Sequence, residues 1–164
     1  MRRILVVSDS HGRNENVRLA IEDAVKKGGS IDAMIHLGDV GTEFREVSQM
    51  AGVSTYIVRG NCDSAGELMD RNIIKFGTHT VYATHGHRQQ VQYGLDTLRY
   101  VALQNGCDIA LFGHTHVPCI NEGIDVSFYN PGSVTLPRQG NHKATYGILE
   151  IGDDESVKFE ICYM

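Results

Sequence analysis

Seven side chains able to bind a cation stand in five short stretches of the chain: Asp9 with His11, Asp39, Asn61, His85, and His114 with His116 in Gly113-His114-Thr115-His116. Imidazole is the commonest metal ligand among side chains, and carboxylate and amide oxygens complete the mixed shells that divalent transition metals accept. Residues two apart in an extended segment lie on one side of it, so Asp9 and His11 are placed to grip one ion. Each stretch has a plainer reading on its own. Asp-x-His also forms an Asx turn, and a histidine pair also sits in surface turns. Five such coincidences in one chain point to a site. Seven donors exceed the four of a tetrahedral zinc and suit two ions that share a ligand, with Asp39 as the bridge and positions left open for water.

The donors need elements to carry them, and each group follows an apolar run. Residues 4–7, 32–37 and 54–58 read as strands covered on both faces, ending at Asp9, Asp39 and Asn61. Between them lie a helix capped by Asn14, carrying Val17, Leu19, Ala20, Ile21, Ala24 and Val25 and stopped by Gly28-Gly29, and a second helix over about 42–50. Strand, helix, strand, helix, strand is the rhythm of parallel βαβ units, and open α/β sheets bind ligands beyond the carboxyl ends of their strands. Residues 73–76 and 80–84 read as strands across a Gly77 turn that deliver His85-Gly86-His87. A helix with Leu95, Leu98, Val101, Ala102 and Leu103 as its core stripe leads through Gly106 to a strand over 108–112, which delivers His114 and His116. A strand over 124–129 precedes the turn Asn130-Pro131-Gly132-Ser133, where Ser133 is a candidate substrate contact. Strands near 145–151 and 157–162 close the chain. These last strands are short and tightly joined, so the second half is expected to be more antiparallel.

At 164 residues, one domain over 1–164 is expected, burying about 70% of the surface its unfolded form exposes. A net charge of -5 gives no basic footprint for nucleic acid or an anionic membrane surface. Cys62, Cys107, Cys119 and Cys162 form no Cys-x-x-Cys pair, which excludes a thiolate zinc knuckle, and they read as mostly reduced and buried in a cytoplasmic protein. The polar residues from Ser8 end the first apolar run too early for an export signal, and nothing approaches the roughly 20 apolar residues of a membrane span.

In order and spacing, Asp9-x-His11, Gly38-Asp39, Gly60-Asn61-x-Asp63, His85-Gly86 and Gly113-His114-Thr115-His116 resemble the five motifs of the calcineurin-like metallophosphoesterases, over Asp9 to Ser133. The small bacterial and archaeal phosphodiesterases of that superfamily are the most similar branch. The resemblance implies a four-layer α/β/β/α sandwich, the metallo-dependent phosphatase fold. It implies one metal on Asp9, His11, Asp39 and His116 and another on Asp39, Asn61, His85 and His114, with manganese expected first and nickel, cobalt, iron or zinc as alternatives. Two such ions about 3.5–4 Å apart would lower the pKa of a bridging water towards ~7 and so supply hydroxide to a phosphodiester.

One position departs from the superfamily, where a histidine usually follows the ligand asparagine: here it is Cys62. A thiol replaces an imidazolium poorly, so small diesters with good leaving groups are expected over demanding alkyl monoesters. Cys62, Asp63 and His87 are the candidate catalytic residues beside the metals. The plainer readings stay open, a small buried filler for Cys62 and solvated loop residues for Asp63 and His87. A non-catalytic interaction scaffold, as in the retromer subunit of this fold, is the rival reading, and a hydrolase of a non-phosphate ester is a third. Competent side chains at all seven positions favour catalysis. The expected partner is a small phosphodiester, such as a cyclic nucleotide or a lipid headgroup fragment, with no nucleic acid and no membrane; association into a homo-oligomer is left open.

Overall fold

The computed structural model describes residues 1–64 and 66–164. Among these, one five-stranded sheet is built from β1 (Arg2–Val7), β2 (Ala33–His36), β3 (Ser54–Ile57), β9 (Thr145–Ile151) and β10 (Val157–Tyr163), in the order β10-β9-β1-β2-β3. The other takes β4 (Arg71–Phe76), β5 (His79–Thr84), β6 (Ile109–Leu111), β7 (Cys119–Asn121) and β8 (Ser127–Asn130), in the order β4-β5-β6-β8-β7. Helices α1 (Asn14–Gly28) and α2 (Phe44–Met50) cover the first sheet, and α3 (Asp96–Gln104) covers the second.

The apolar runs alternate between two cores, as a strand's period of two requires. In β1, Ile4 and Val6 face the other sheet, meeting Val81, Ala83, Ile109 and Leu111, while Leu5 and Val7 face Val17, Ala20 and Ala24 of α1 and Val47 of α2. In β6, Ile109 and Leu111 join the central core, and Ala110 packs with Leu98 and Ala102 of α3. Both sheets are thus buried on two faces, which gives the four layers α/β/β/α. The stacked rings of Tyr129 and Phe159, 4.6 Å apart, tie the sheets together. Strands β1, β2 and β3 are parallel, with Val7 level with His36 and His36 level with Ile57, so their three following loops start side by side. β5 and β6 are also parallel, while β4, β7, β9 and β10 pair antiparallel.

Asn14 is the first residue of α1 and not its cap; Arg13 precedes it, and the Asn14 amide donates to Glu46 of α2 at 2.7 Å, an inter-helix bond that replaces the local one. Val17, Ala20 and Ala24 form the buried stripe of α1, leaving Leu19 and Val25 exposed, and Leu103 lies outside the stripe of α3 for the same 3.6-residue reason. The strand expected over 124–129 is β8 at Ser127–Asn130, because Ile124 stands exposed in the turn from β7, a strand the pattern did not announce. All four cysteines are free. Cys107 and Cys162 are buried, Cys119 is half-buried, and Cys62 is exposed, so it fills no core. Among the described residues, no helix is long and apolar enough to cross a membrane.

Candidate metal centre

The loops after β1, β2, β3, β5 and β6 converge at one edge of the sandwich and bring all seven donors together. Asp9, His11, Asp39 and His116 each place a ligand atom within 4.8 Å of the others. His116 Nε2 stands 3.1 Å from Asp9 Oδ1 and 3.4 Å from His11 Nε2, and His11 Nε2 lies 3.8 Å from Asp39 Oδ2. On the other side of Asp39, His85 Nε2 is 3.5 Å from the same Oδ2 and 3.1 Å from Asn61 Oδ1, which is also 3.1 Å from His114 Nδ1. Donor atoms about 2.0–2.2 Å from one ion stand about 3.0–3.5 Å from each other, and the two groups, meeting at Asp39, have close to that spacing.

The backbone is bent to achieve this. Asp9, His11, Asp39, His114 and His116 all have φ between 49° and 67°, the sparsely used left-handed region. Five of the seven donors in that region is a concentration of strain of the kind that functional sites hold against the surrounding structure. The loops brace one another through bonds from Asp9 N to Gly38 O, His11 N to Asp39 O and Gly12 N to Val40 O, at 2.8–3.1 Å. Gly60 has to be glycine, since a Cβ there would come within 2.0 Å of Asp39 Oδ1.

Hydrogen bonds fix which atom of each side chain faces inward. His85 Nδ1 donates to Leu37 O and His116 Nδ1 to Leu136 O, both at 2.7 Å, so each Nε2 is turned to the centre. Asp9 Oδ2 accepts from Ser8 Oγ at 2.6 Å and His114 N at 3.2 Å, which leaves Oδ1 buried with no hydrogen bond among the described residues. Asp39 Oδ1 accepts from Cys62 N at 2.8 Å, which leaves Oδ2 facing His85 and His11. Burial opposes charge on Asp9, but His116 and His85 outweigh it and hold the carboxyl below its ordinary value. Asp39 is held far below, against its burial, by His85 and the Cys62 N–H. Both are therefore carboxylates at neutral pH, the form in which a carboxyl group can bind a metal. Burial, with the nearby charge of His85, lowers the His114 and His87 imidazoles.

The remaining candidates take distinct places. Asp63 accepts from Gly41 N at 2.9 Å and Gly60 N at 2.8 Å, stapling the Asp39 loop to the Asn61 loop. The His87 ring lies 5.4 Å from that of His85 and 6.2 Å from that of His114, and its Nδ1 is buried without a partner among the described residues. The Cys62 thiol accepts from Asn61 Nδ2 at 3.4 Å, and partial shielding from water together with the Asp39 and Asp63 carboxylates pushes its pKa up, so it stays protonated. Ser133 is fully buried and donates to Asp9 O at 2.9 Å while accepting from Thr135 and Leu136 N–H, which rules out the substrate contact expected of it. Asn130 likewise braces the histidine loop from behind, donating to Gly113 O and Thr115 Oγ1.

His36 was missed by sequence reasoning. Fully buried, it donates from Nε2 to Ser10 Oγ at 2.8 Å and accepts Gly38 N–H at Nδ1, joining the Asp9-His11 stretch to the Asp39 stretch. Burial pushes its pKa down to about 4, so it is neutral, as this donor and acceptor pair requires. Its signal was the one polar residue in the run Ala33-Met34-Ile35-His36-Leu37.

Residues 1–154 match the family model described as the calcineurin-like phosphoesterase superfamily domain. The chain is 33% identical to the probable metallophosphoesterase YsnB of Bacillus subtilis, across 92% of this chain and 85% of that protein. It is also 33% identical to the phosphodiesterase YfcE of Escherichia coli, across 57% of this chain and 50% of that one. A solved structure of Vps29 from Entamoeba histolytica complexed with zinc is similar over 98% of both chains, at 25% identity and a TM-score of 0.71.

Proposed function

As the chain belongs to the calcineurin-like phosphoesterase superfamily, we propose that it is a metal-dependent phosphodiesterase that hydrolyses small phosphodiesters at a dinuclear centre. The observation that carries this reading is Asp9 Oδ1. A buried carboxylate oxygen without a hydrogen bond, 3.1 Å from His116 Nε2 and 3.9 Å from His85 Nε2, is costly unless a cation satisfies it. The donor set fits divalent transition metals, since it combines carboxylate and amide oxygens with imidazoles. One ion would be held by Asp9, His11, Asp39 and His116, the other by Asp39, Asn61, His85 and His114. Bound there, the ions supply Lewis acidity that lowers the pKa of water from 15.7 to about 7 and offsets phosphoryl charge. Manganese is the first expectation; the zinc named for the Vps29 structure supports a metal on this fold.

The chain's own residues orient and select. The Leu37 and Leu136 carbonyls and the Ser8 hydroxyl hold the ligands in place, and Asp63 keeps the two loops that meet at Asp39 in register. His87 stands beside His85 and His114, where it can contact a phosphate oxygen or a leaving group. The protonated Cys62 gives a departing alkoxide little help, which favours diesters with good leaving groups. The name of the Escherichia coli relative supports the diester over the monoester. In this reading residues 1–164 form one catalytic domain, and four free cysteines fit a cytoplasmic setting.

The test is turnover of bis-p-nitrophenyl phosphate by chelator-stripped protein, with and without manganese restored, beside the monoester p-nitrophenyl phosphate. Metal-restored cleavage that favours the diester is expected. No turnover with manganese, nickel, cobalt, iron or zinc would replace the enzyme with the scaffold reading, and cleavage of carboxyl esters alone would replace the substrate class.

A further inference from the structure

Beside the centre lies a cleft of about 290 Å³, whose walls include Thr42, Phe44, Cys62, Ser64, Glu67 and Leu68. Cys62 belongs to both places. It follows Asn61, its N–H donates to Asp39 Oδ1, and its thiol accepts from the Asn61 amide. Cys62 thus joins the cleft to the Asn61 end of the centre. The cleft volume lies near the lower end of small-molecule sites, which suits a single ring system.

The lining selects the chemistry of that arm. Phe44 and Leu68 are half-buried, packed on the core beneath α2, and give an apolar floor. The hydroxyls of Thr42 and Ser64 and the carboxylate of Glu67 supply hydrogen-bonding groups around it. An anionic arm would meet the Asp63 carboxylate, with no Lys, Arg or His among the described lining residues. A cationic arm would find Glu67 already paired with Arg45, whose guanidinium lies outside the lining, 5.7 Å from the Phe44 ring centroid. That pairing also neutralises Glu67 while leaving it an acceptor. A neutral planar ring with N–H donors satisfies the floor, the rim and the charge together.

We propose that this cleft receives the ring of a nucleoside-type ester arm, which makes Phe44 and Ser64 specificity-determining residues. The inference rests on the phosphodiesterase reading above. Its test compares three diesters with one leaving group, thymidine 5′-p-nitrophenyl phosphate, methyl p-nitrophenyl phosphate and choline p-nitrophenyl phosphate, on the manganese-loaded protein. The thymidine arm is expected to raise kcat/KM about tenfold over the other two, through KM. Phe44→Leu, which keeps the apolar packing, and Ser64→Trp, which fills the cleft from an exposed position, should each bring the thymidine to methyl ratio towards one. Equal kcat/KM for all three, a preference for choline, or a ratio unchanged in both variants overturns the cleft assignment and leaves the diesterase reading standing. Release of p-nitrophenolate from none of the three overturns both.

Discussion

Asp39 divides its two oxygens between two tasks: Oδ1 takes the Cys62 N–H, and Oδ2 faces His85 and His11 from the two halves of the site. Asp39→Asn replaces one of those oxygens with a donor, and His116→Ala removes the imidazole nearest Asp9. Each variant should lose diester turnover by at least about 10³-fold with unchanged circular dichroism, and normal turnover by either folded variant would remove the site. Asp63 works at one remove. Asp63→Ala leaves the Gly41 and Gly60 N–H groups without their shared acceptor, so manganese affinity should fall about 10–100-fold by calorimetry, whereas a solvated loop residue would leave it unchanged. The seven candidate donors stand out in the sequence, because imidazole and carboxylate are recognisable by type and by their place after apolar runs. The residues that hold them do not. His36, Ser8 and the carbonyls of Leu37 and Leu136 act through contacts made across the fold, and local spacing carries no trace of those.

At the scale of elements, the same logic separates what a helix buries from what it merely contains. Leu98 is fully buried beneath the second sheet and Leu103 is exposed, although both belong to the apolar pattern of α3. Leu98→Ala should cost about 2–5 kcal/mol in urea unfolding, and Leu103→Ala should stay within about 0.5 kcal/mol. The β5 and β6 edges carry a second, pH-dependent tie: His79 Nδ1 meets Asp108 and Nε2 meets the Glu155 carbonyl. Burial opposes protonation of His79, but Asp108 and the Glu155 carbonyl outweigh it and raise the pKa above 6.5. A raised folded-state pKa stabilises fully below the unfolded value and is lost as pH rises through the folded one. Stability should therefore decline above about pH 6.5 by this contribution, and His79→Gln should flatten that part of the profile in urea midpoints taken across pH. The long buried strands were readable as continuous apolar runs, whereas β7, three residues of mixed polarity, and the uncapped start of α1 offered no periodic signal.

For the whole molecule, the parallel β1, β2 and β3 and the parallel β5 and β6 aim five loops at one edge, and the two facing sheets hold those loops across a shared core. Alternation of strand and helix announced the first sheet. The pairing of β9 and β10 beside β1, which returns the end of the chain to its beginning, is a long-range choice that sequence periodicity does not encode. On the proposed mechanism this edge holds two ions and needs both, which is tested most directly by titrating manganese into the chelator-stripped protein while measuring bound metal and bis-p-nitrophenyl phosphate turnover in the same samples. Two ions per chain, with turnover rising as the second binds, is the predicted result; full turnover with a single ion, or no bound manganese at all, would contradict it.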